Sequence, residues 1–186
     1  MIRKSPIFLQ LIQELIASDA LKTLAREFQK GEHLITQGSA IQDVFVIRQG
    51  LIKCFISEDN GKEYILEFLG EGEVLGEIEA IKRIPCISTV EALTPTSVYK
   101  IDISTFTHLL QKEQKLNWAV VDLMATRLAN TAIRSSRQQL YSLSHTLANL
   151  MEVLDSGKIP FTKQDLSAYL GISVRSLNRL LREMGG

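Results

Sequence analysis

Between Gly31 and Gly76 a glycine recurs every few residues to a dozen: Gly31, Gly38, Gly50, Gly61, Gly70, Gly72 and Gly76. Punctuation of that density excludes a long helix, because glycine weakens element interiors and suits turns. The segments between are short and β-like. "VFVIRQG" ends in a glycine turn, "LIKCFI" alternates, and "YILEFL" reads as a return strand. In the middle run Ile52, Cys54 and Ile56 share one face, with Leu51, Lys53 and Phe55 on the other. "EDNGKE" supplies Asn60-Gly61, a pair that accepts the positive φ of a tight hairpin. Short strands with regular turns predict a compact β-roll or barrel within residues 1–112.

The period then changes. "STFTHLLQ" predicts a helix capped by Ser104. A second, longer helical pattern spans 113–138. Within it Val121, Ala125, Leu128 and Ala132 recur at heptad-like spacing, with Leu116, Val120 and Met124 as a neighbouring stripe. Two apolar flanks predict packing on the chain's own roll and on a partner. Val121, Met124, Ala125, Leu128 and Ala132 are the expected dimer interface. Beyond Ile133, "RSSRQQ" is polar all round, as where a helix leaves its interface. "LYSLSHTLANLMEVL" predicts another helix, and "DSGKIP" a linker.

Residues 139–186 form the third unit. In "FTKQDLSAYLGISVRSLNRLLREMG", Thr162 with Asp165 three residues on approaches a capping box. Gly171 ends one helix and Ser173 caps the next, which turns Leu177, Leu180 and Leu181 inward. Helix, glycine turn and helix is the layout of a DNA-binding helix-turn-helix. Val174, Arg175, Asn178, Arg179 and Arg182 face away from the leucines. Arginine pairs with guanine, asparagine with adenine, and valine touches a thymine methyl. Thr162, Ser173 and Ser176 complete the expected contact set, with Ser173 and first-turn N–H groups holding phosphate. An ordinary helical hairpin with a solvated basic face is the competing reading.

Charge supports a polyanion partner. The chain carries 21 Lys+Arg and 21 Asp+Glu, but residues 156–186 hold five basic against two acidic side chains. No apolar run approaches the ~20 residues of a membrane span. The N-terminal "MIRKSPIFLQLIQELI" reads as an amphipathic helix rather than an export signal, so a cytoplasmic protein is expected. Two cysteines exclude a disulfide framework and a four-thiolate cluster. His33, His108 and His145 are scattered, which argues against a metal centre or a cupin-like enzyme, and no nucleophile-and-base pair stands out.

With these parts in order, the chain resembles the Crp/Fnr family of bacterial transcription regulators over nearly all its length. "KGEHLITQGSAIQDVFVIRQGLIKCF" is similar to the opening of that family's cyclic-nucleotide-binding-type roll. "GKEYILEFLGEGEVLGEIEAI" is similar to its middle, and "TKQDLSAYLGISVRSLNRLLREM" to its DNA-reading winged helix. The wording "GEIEAI" and "YLGIS" looks closest to the YeiL-type branch. The resemblance implies an α+β chain with a double-stranded β-helix (jelly-roll) domain, a long dimerisation helix and a helix-turn-helix. It further implies a homodimer on a palindromic operator in double-stranded DNA, contact with RNA polymerase, and an effector inside the roll. The pocket expected from it comprises Ile52, Cys54, Gly76, Glu77, Cys86, Ile87, Ser88 and Thr131.

Two departures qualify that expectation. In cAMP-binding members a glutamate takes a ribose hydroxyl and an arginine takes the cyclic phosphate. Gly76 and Glu77 match, but the arginine position falls at Cys86, Ile87 or Ser88, none of which neutralises a buried phosphate. A cAMP response is therefore not expected, and no cofactor or metal is implied. A reversible Cys54–Cys86 thiol sensor is a further possibility beside two inert buried cysteines. The second departure is that the sequence stops at Gly185-Gly186, where the family continues into a β-hairpin wing. The alternative function is a small-molecule or redox sensor whose truncated C-terminal unit no longer binds DNA.

Overall fold

The computed structural model describes residues 2–148 and 161–184. The chain runs through β1 (Ile2–Arg3), α1 (Pro6–Ala17), β2 (Leu24–Phe28), β3 (His33–Ile35), β4 (Asp43–Gln49), β5 (Ile52–Ser57), β6 (Glu63–Leu69) and β7 (Val74–Leu75). It continues through α2 (Glu77–Lys82), β8 (Thr89–Ala92), β9 (Thr96–Asp102), α3 (Ile103–Lys112) and α4 (Gln114–Leu140). The C-terminal unit contains α5 (Lys163–Leu170) and α6 (Val174–Met184). The expected 140–154 helix does not run unbroken: Leu140 ends α4, Tyr141 and Ser142 are extended or bent, and residues 143–148 are helical, while residues 149–154 and the "DSGKIP" linker lie outside the described residues.

The strands form two facing sheets, ordered β1-β6-β5-β8-β3 and β2-β9-β4-β7, the arrangement of a jelly-roll. The predicted hairpin joins β5 to β6, with Gly61 at φ +73° and the Asn60 side chain accepting from Lys62 N–H. A bulge at Cys54/Phe55 shifts the register and leaves Ile56 half-buried. Phe28, Leu34, Phe45, Ile47, Ile52 and Val98 fill the space between the sheets. A second core lies outside them. There Val44, Val46 and Ile101 meet Phe8 and Ile12 of α1, Phe106 of α3, and Leu116, Val120 and Leu123 of α4.

Two local expectations are corrected. The N-terminus is not helical from its start: Ile2 and Arg3 pair in parallel with Phe68 and Leu69, and Pro6 opens α1. The cap of α3 is Asp102, which accepts from Ser104 N–H at 2.8 Å, whereas Ser104 itself lies inside the helix. In the 134–139 stretch Ser135, Ser136, Arg137 and Gln139 are exposed, while Arg134 turns back onto β6. Its guanidinium donates to the Leu66 carbonyl and lies over the rings of Tyr64 and Tyr169.

The outer face of β5 and β6 seats the C-terminal unit. Leu51, Phe55, Ile65 and Phe68 meet Phe161 and Tyr169, with the Phe68 and Phe161 ring centroids 4.2 Å apart. Lys53 Nζ donates to Asp165 Oδ1 at 3.0 Å, and both side chains are largely out of water. Burial opposes ionisation of Asp165, but the Thr162 hydrogen bonds and Lys53 outweigh it and hold the carboxyl below its ordinary 3.8. The stabilisation from this depressed value is fully present above the ordinary carboxylate range. It is lost as pH falls through the folded value. Lys53→Met is expected to cost about 1–3 kcal/mol at pH 7 in urea unfolding, and less at acid pH once Asp165 protonates. An equal cost at both pH values would show that the lysine acts through packing alone.

Candidate functional site

A cavity of about 220 Å³ opens into the roll beneath α4. Cys54, Gly76, Glu77, Ser88 and Thr131 line it. Ile52 and Cys86 do not. Both are buried in the core between the sheets, where Cys86 Sγ lies 3.6 Å from the Ser39 hydroxyl. Of residues 86–88 Ile87 alone is exposed, between the buried Cys86 and the half-buried Ser88. These three places correct the expected pocket. Burial pushes the Cys54 thiol up to about 12, so it stays protonated near neutral pH. Among the described residues no three His, Cys, Asp or Glu side chains gather as metal ligands.

Gly76 opens α2 with φ +83°, and a Cβ there would stand 2.8 Å from Ile41 Cδ1 and 3.2 Å from the Asp43 carbonyl. The tight entry turns Glu77 inward, to 2% exposure. It meets Arg127, which reaches down from α4. The Arg127 guanidinium donates to Glu77, to Glu73 at 2.7 and 3.2 Å, and to the Val74 carbonyl at 2.7 Å. Burial alone would favour uncharged partners, and it does push the Glu77 carboxyl up. The two carboxylates outweigh it at Arg127, whose value is raised, so the guanidinium stays charged. Glu77 is thus occupied by a side chain of the same protein. Glu79 is likewise engaged, accepting the Ile87 N–H at 3.0 Å.

Sequence reasoning missed Arg127, Arg134 and Arg3, which all line the cavity. One signal was present: residues 127, 131 and 134 follow the helical spacing of Leu116, Val120 and Leu123, which places them on the roll-facing side. The opposite side of α4 carries the expected interface. Val121, Ala125, Leu128 and Ala132 are exposed, Leu128 at 73%, whereas Met124 packs partly against the chain's own core.

In the C-terminal unit Thr162 and Asp165 form a reciprocal capping box, and Gly171 closes α5 at φ +70°. Ser173 Oγ accepts from Ser176 N–H at 3.1 Å, and Leu177 and Leu180 are buried. Val174, Arg175, Arg179 and Arg182 are exposed on the other side of α6. Asn178 is half-buried and accepts from Lys163 Nζ at 2.9 Å, so it also ties the two helices together. Ser176 is half-buried as well, 3.0 Å from the Ser173 hydroxyl. Thr162 is exposed but its hydroxyl is engaged by Asp165.

These parts define an architecture: a jelly-roll joined through a long helix to a helix-turn-helix. Residues 25–113 match the cyclic nucleotide-binding domain family. The chain is 26% identical over 179 residues to the fumarate and nitrate reduction regulatory protein of Yersinia pestis, covering 90% of this chain and 71% of that one. It is 27% identical over 160 residues to the cAMP-activated global transcriptional regulator CRP of Salmonella typhimurium, covering 80% and 76%. Its fold superimposes on the c-di-GMP responsive global regulator CLP of Xanthomonas campestris with a TM-score of 0.82 at 17% identity, covering 95% and 91%. Over most of its length the chain is similar to transcription regulators of the Crp/Fnr type.

Arg127→Met would leave Glu73 and Glu77 buried without their partner. It is expected to cost about 3–5 kcal/mol in denaturant unfolding. Arg127→Lys is expected to restore little of that, because an ammonium lacks the planar fork that serves both carboxylates and the Val74 carbonyl. Full recovery with lysine would reduce the role of Arg127 to a point charge.

Proposed function

We propose that this DNA-binding regulator acts as a homodimer through α4, reads a palindromic operator with α6, and does so without a cyclic nucleotide. The observation that carries the reading is the division of α6: leucines on its buried side, three arginines exposed on the other. Arg175 and Arg182 make no hydrogen bond or ion pair among the described residues, and Arg179 has only the exposed Glu183 at 3.8 Å. Arg175 in the first turn of α6, with Arg179 and Arg182 further along the same side, suits guanine edges, while Ser173 and the helix N-terminus suit phosphate.

The exposed stripe on α4 supports self-association. Val121 and Leu128 lie a heptad apart with Ala125 and Ala132 between and beyond, small enough for two helices to approach closely. The cavity supports independence from cAMP. Its 220 Å³ falls below the ~300–1,000 Å³ usual for drug-sized ligands. Glu77 already serves Arg127, and residues 86–88 carry no cation. The protein works by binding rather than catalysis, on cytoplasmic DNA and beside RNA polymerase.

Selection from random duplexes, followed by fluorescence anisotropy, tests the first half. Arg175→Ala is expected to cost ~1–3 kcal/mol on the selected site and to flatten preference at one base pair. Equal binding of all sequences by both proteins would remove α6 from base reading, and no binding even at low salt would favour the sensor-only alternative. Leu128→Asp tests the second half: sedimentation is expected to show a monomer, with affinity for the full palindrome falling to that for a half-site. Cyclic AMP is expected to change neither measurement.

A further inference from the structure

The first strand carries into the cavity a guanidinium that the chain meets with a long ion pair to Glu67 but with no hydrogen bond at Nε or Nη1. Arg3 is held in β1 by its backbone: its carbonyl accepts Gly70 N–H at 2.8 Å, and Ser5 N–H bonds the Glu71 carbonyl at 2.8 Å. Its side chain lines the cavity with 13% exposure. Nε and Nη1 are buried and have no hydrogen-bond partner among the described residues. The nearest acid, Glu67, stands 3.7 Å from Nε, beyond hydrogen-bond distance. Charged donors left unanswered out of water are costly, so a group in this state points to a missing acceptor.

The other charges around the cavity are used. Arg127 serves Glu73 and Glu77, Arg134 serves the Leu66 carbonyl and two rings, and Glu79 takes the Ile87 N–H. Arg3 alone among these cations lacks hydrogen-bonded acceptors for buried N–H groups. The walls beside it are aliphatic: Leu66, Leu69, Val74, Leu75 and Val90. Ser88 and the exposed Thr131 bring hydroxyls to the same space.

We propose that Arg3 receives the carboxylate of a compact organic acid whose short apolar body lies against these aliphatic side chains. The anion partner is then on β1, not on the α2–β8 loop where the family resemblance places a phosphate partner. The volume suits a molecule of a few carbon atoms better than a nucleotide. A carboxylate fits better than a phosphate because Glu67, Glu77 and Glu79 border the same space, and a dianion meets their repulsion twice over. Burial raises the Glu67 carboxyl, with Arg3 opposing it, which eases the approach of an acid to its neighbour. This inference rests on reading the roll as a ligand-receiving unit, but not on DNA recognition.

Titration calorimetry on the full chain at low ionic strength, with butyrate, propionate, inorganic phosphate and cAMP as probes, tests it. Butyrate or propionate is expected to give saturable heat below about 10 mM, and phosphate and cAMP none. Arg3→Gln is expected to weaken the carboxylate response on the order of tenfold or more. The β1 backbone bonds do not need the side chain, so its melting temperature without ligand serves as the folding control. If that variant fails to fold, Arg3→Lys takes its place; it keeps the charge, and weakened binding at a parent-like melting temperature supports the assignment. Silence of both carboxylates, binding of phosphate alone, or unchanged binding in Arg3→Gln overturns it. DNA anisotropy without added acid separates that outcome from failure of the regulator reading.

Discussion

The rest of the structure turns on one buried guanidinium. Arg127 leaves α4, crosses into the roll and closes on Glu73, Glu77 and the Val74 carbonyl. Such a cluster is not a strong source of net stability, since desolvation offsets much of its attraction. Its effect is on specificity of geometry. Two carboxylates buried beside β7 and α2 are tolerable only with that cation between them, so α4 has one acceptable rotation on the roll. Residues 116, 120, 123, 127, 131 and 134 must then face inward, and 121, 125, 128 and 132 outward.

That division joins three functions on one helix. The inward stripe passes from apolar packing at Leu116, Val120 and Leu123 to the walls of the cavity at Arg127, Thr131 and Arg134. Arg134 then reaches β6 and Tyr169 of the C-terminal unit. The outward stripe is the exposed apolar face. A shift of α4 along or about its axis therefore alters the cavity, the exposed apolar stripe and the seating of the helix-turn-helix together. Because a packed core moves between discrete arrangements rather than bending continuously, such a helix is suited to carry a two-state change.

The sequence made some of this readable and hid the rest for physical reasons. Local signals held: Asn60-Gly61 forms the hairpin, Gly171 takes its left-handed turn, and Thr162 with Asp165 caps α5. Each depends on residues within a few positions of one another. The apolar stripes of α4 were readable because helix periodicity is also local. What failed was long-range. Arg127 meets Glu73 across 54 positions and Lys53 meets Asp165 across 112, and neither pairing leaves a spacing to recognise. The pocket was misjudged at Cys86 and Ile87 because the turn after α2, with Arg83 in a left-handed conformation, decides where that segment points. Asp102 took the cap from Ser104 because a carboxylate two residues earlier accepts from both Ser104 and Thr105 N–H.

The seating of the C-terminal unit follows from its size. Among the described residues its own core consists of Leu147, Leu166, Leu170, Leu177 and Leu180, with a few half-buried neighbours. Units this small rarely bury enough apolar surface to hold themselves. Phe161 and Tyr169 make up the deficit by packing on Phe68, and Lys53 with Asp165 fixes where they land. The contact uses α5 and the turn, with Gly171 against the Tyr64 ring. It leaves the arginine side of α6 in water. Docking and the arginine face therefore occupy different sides of the same unit, and the roll can fix its position without covering the surface proposed to read DNA.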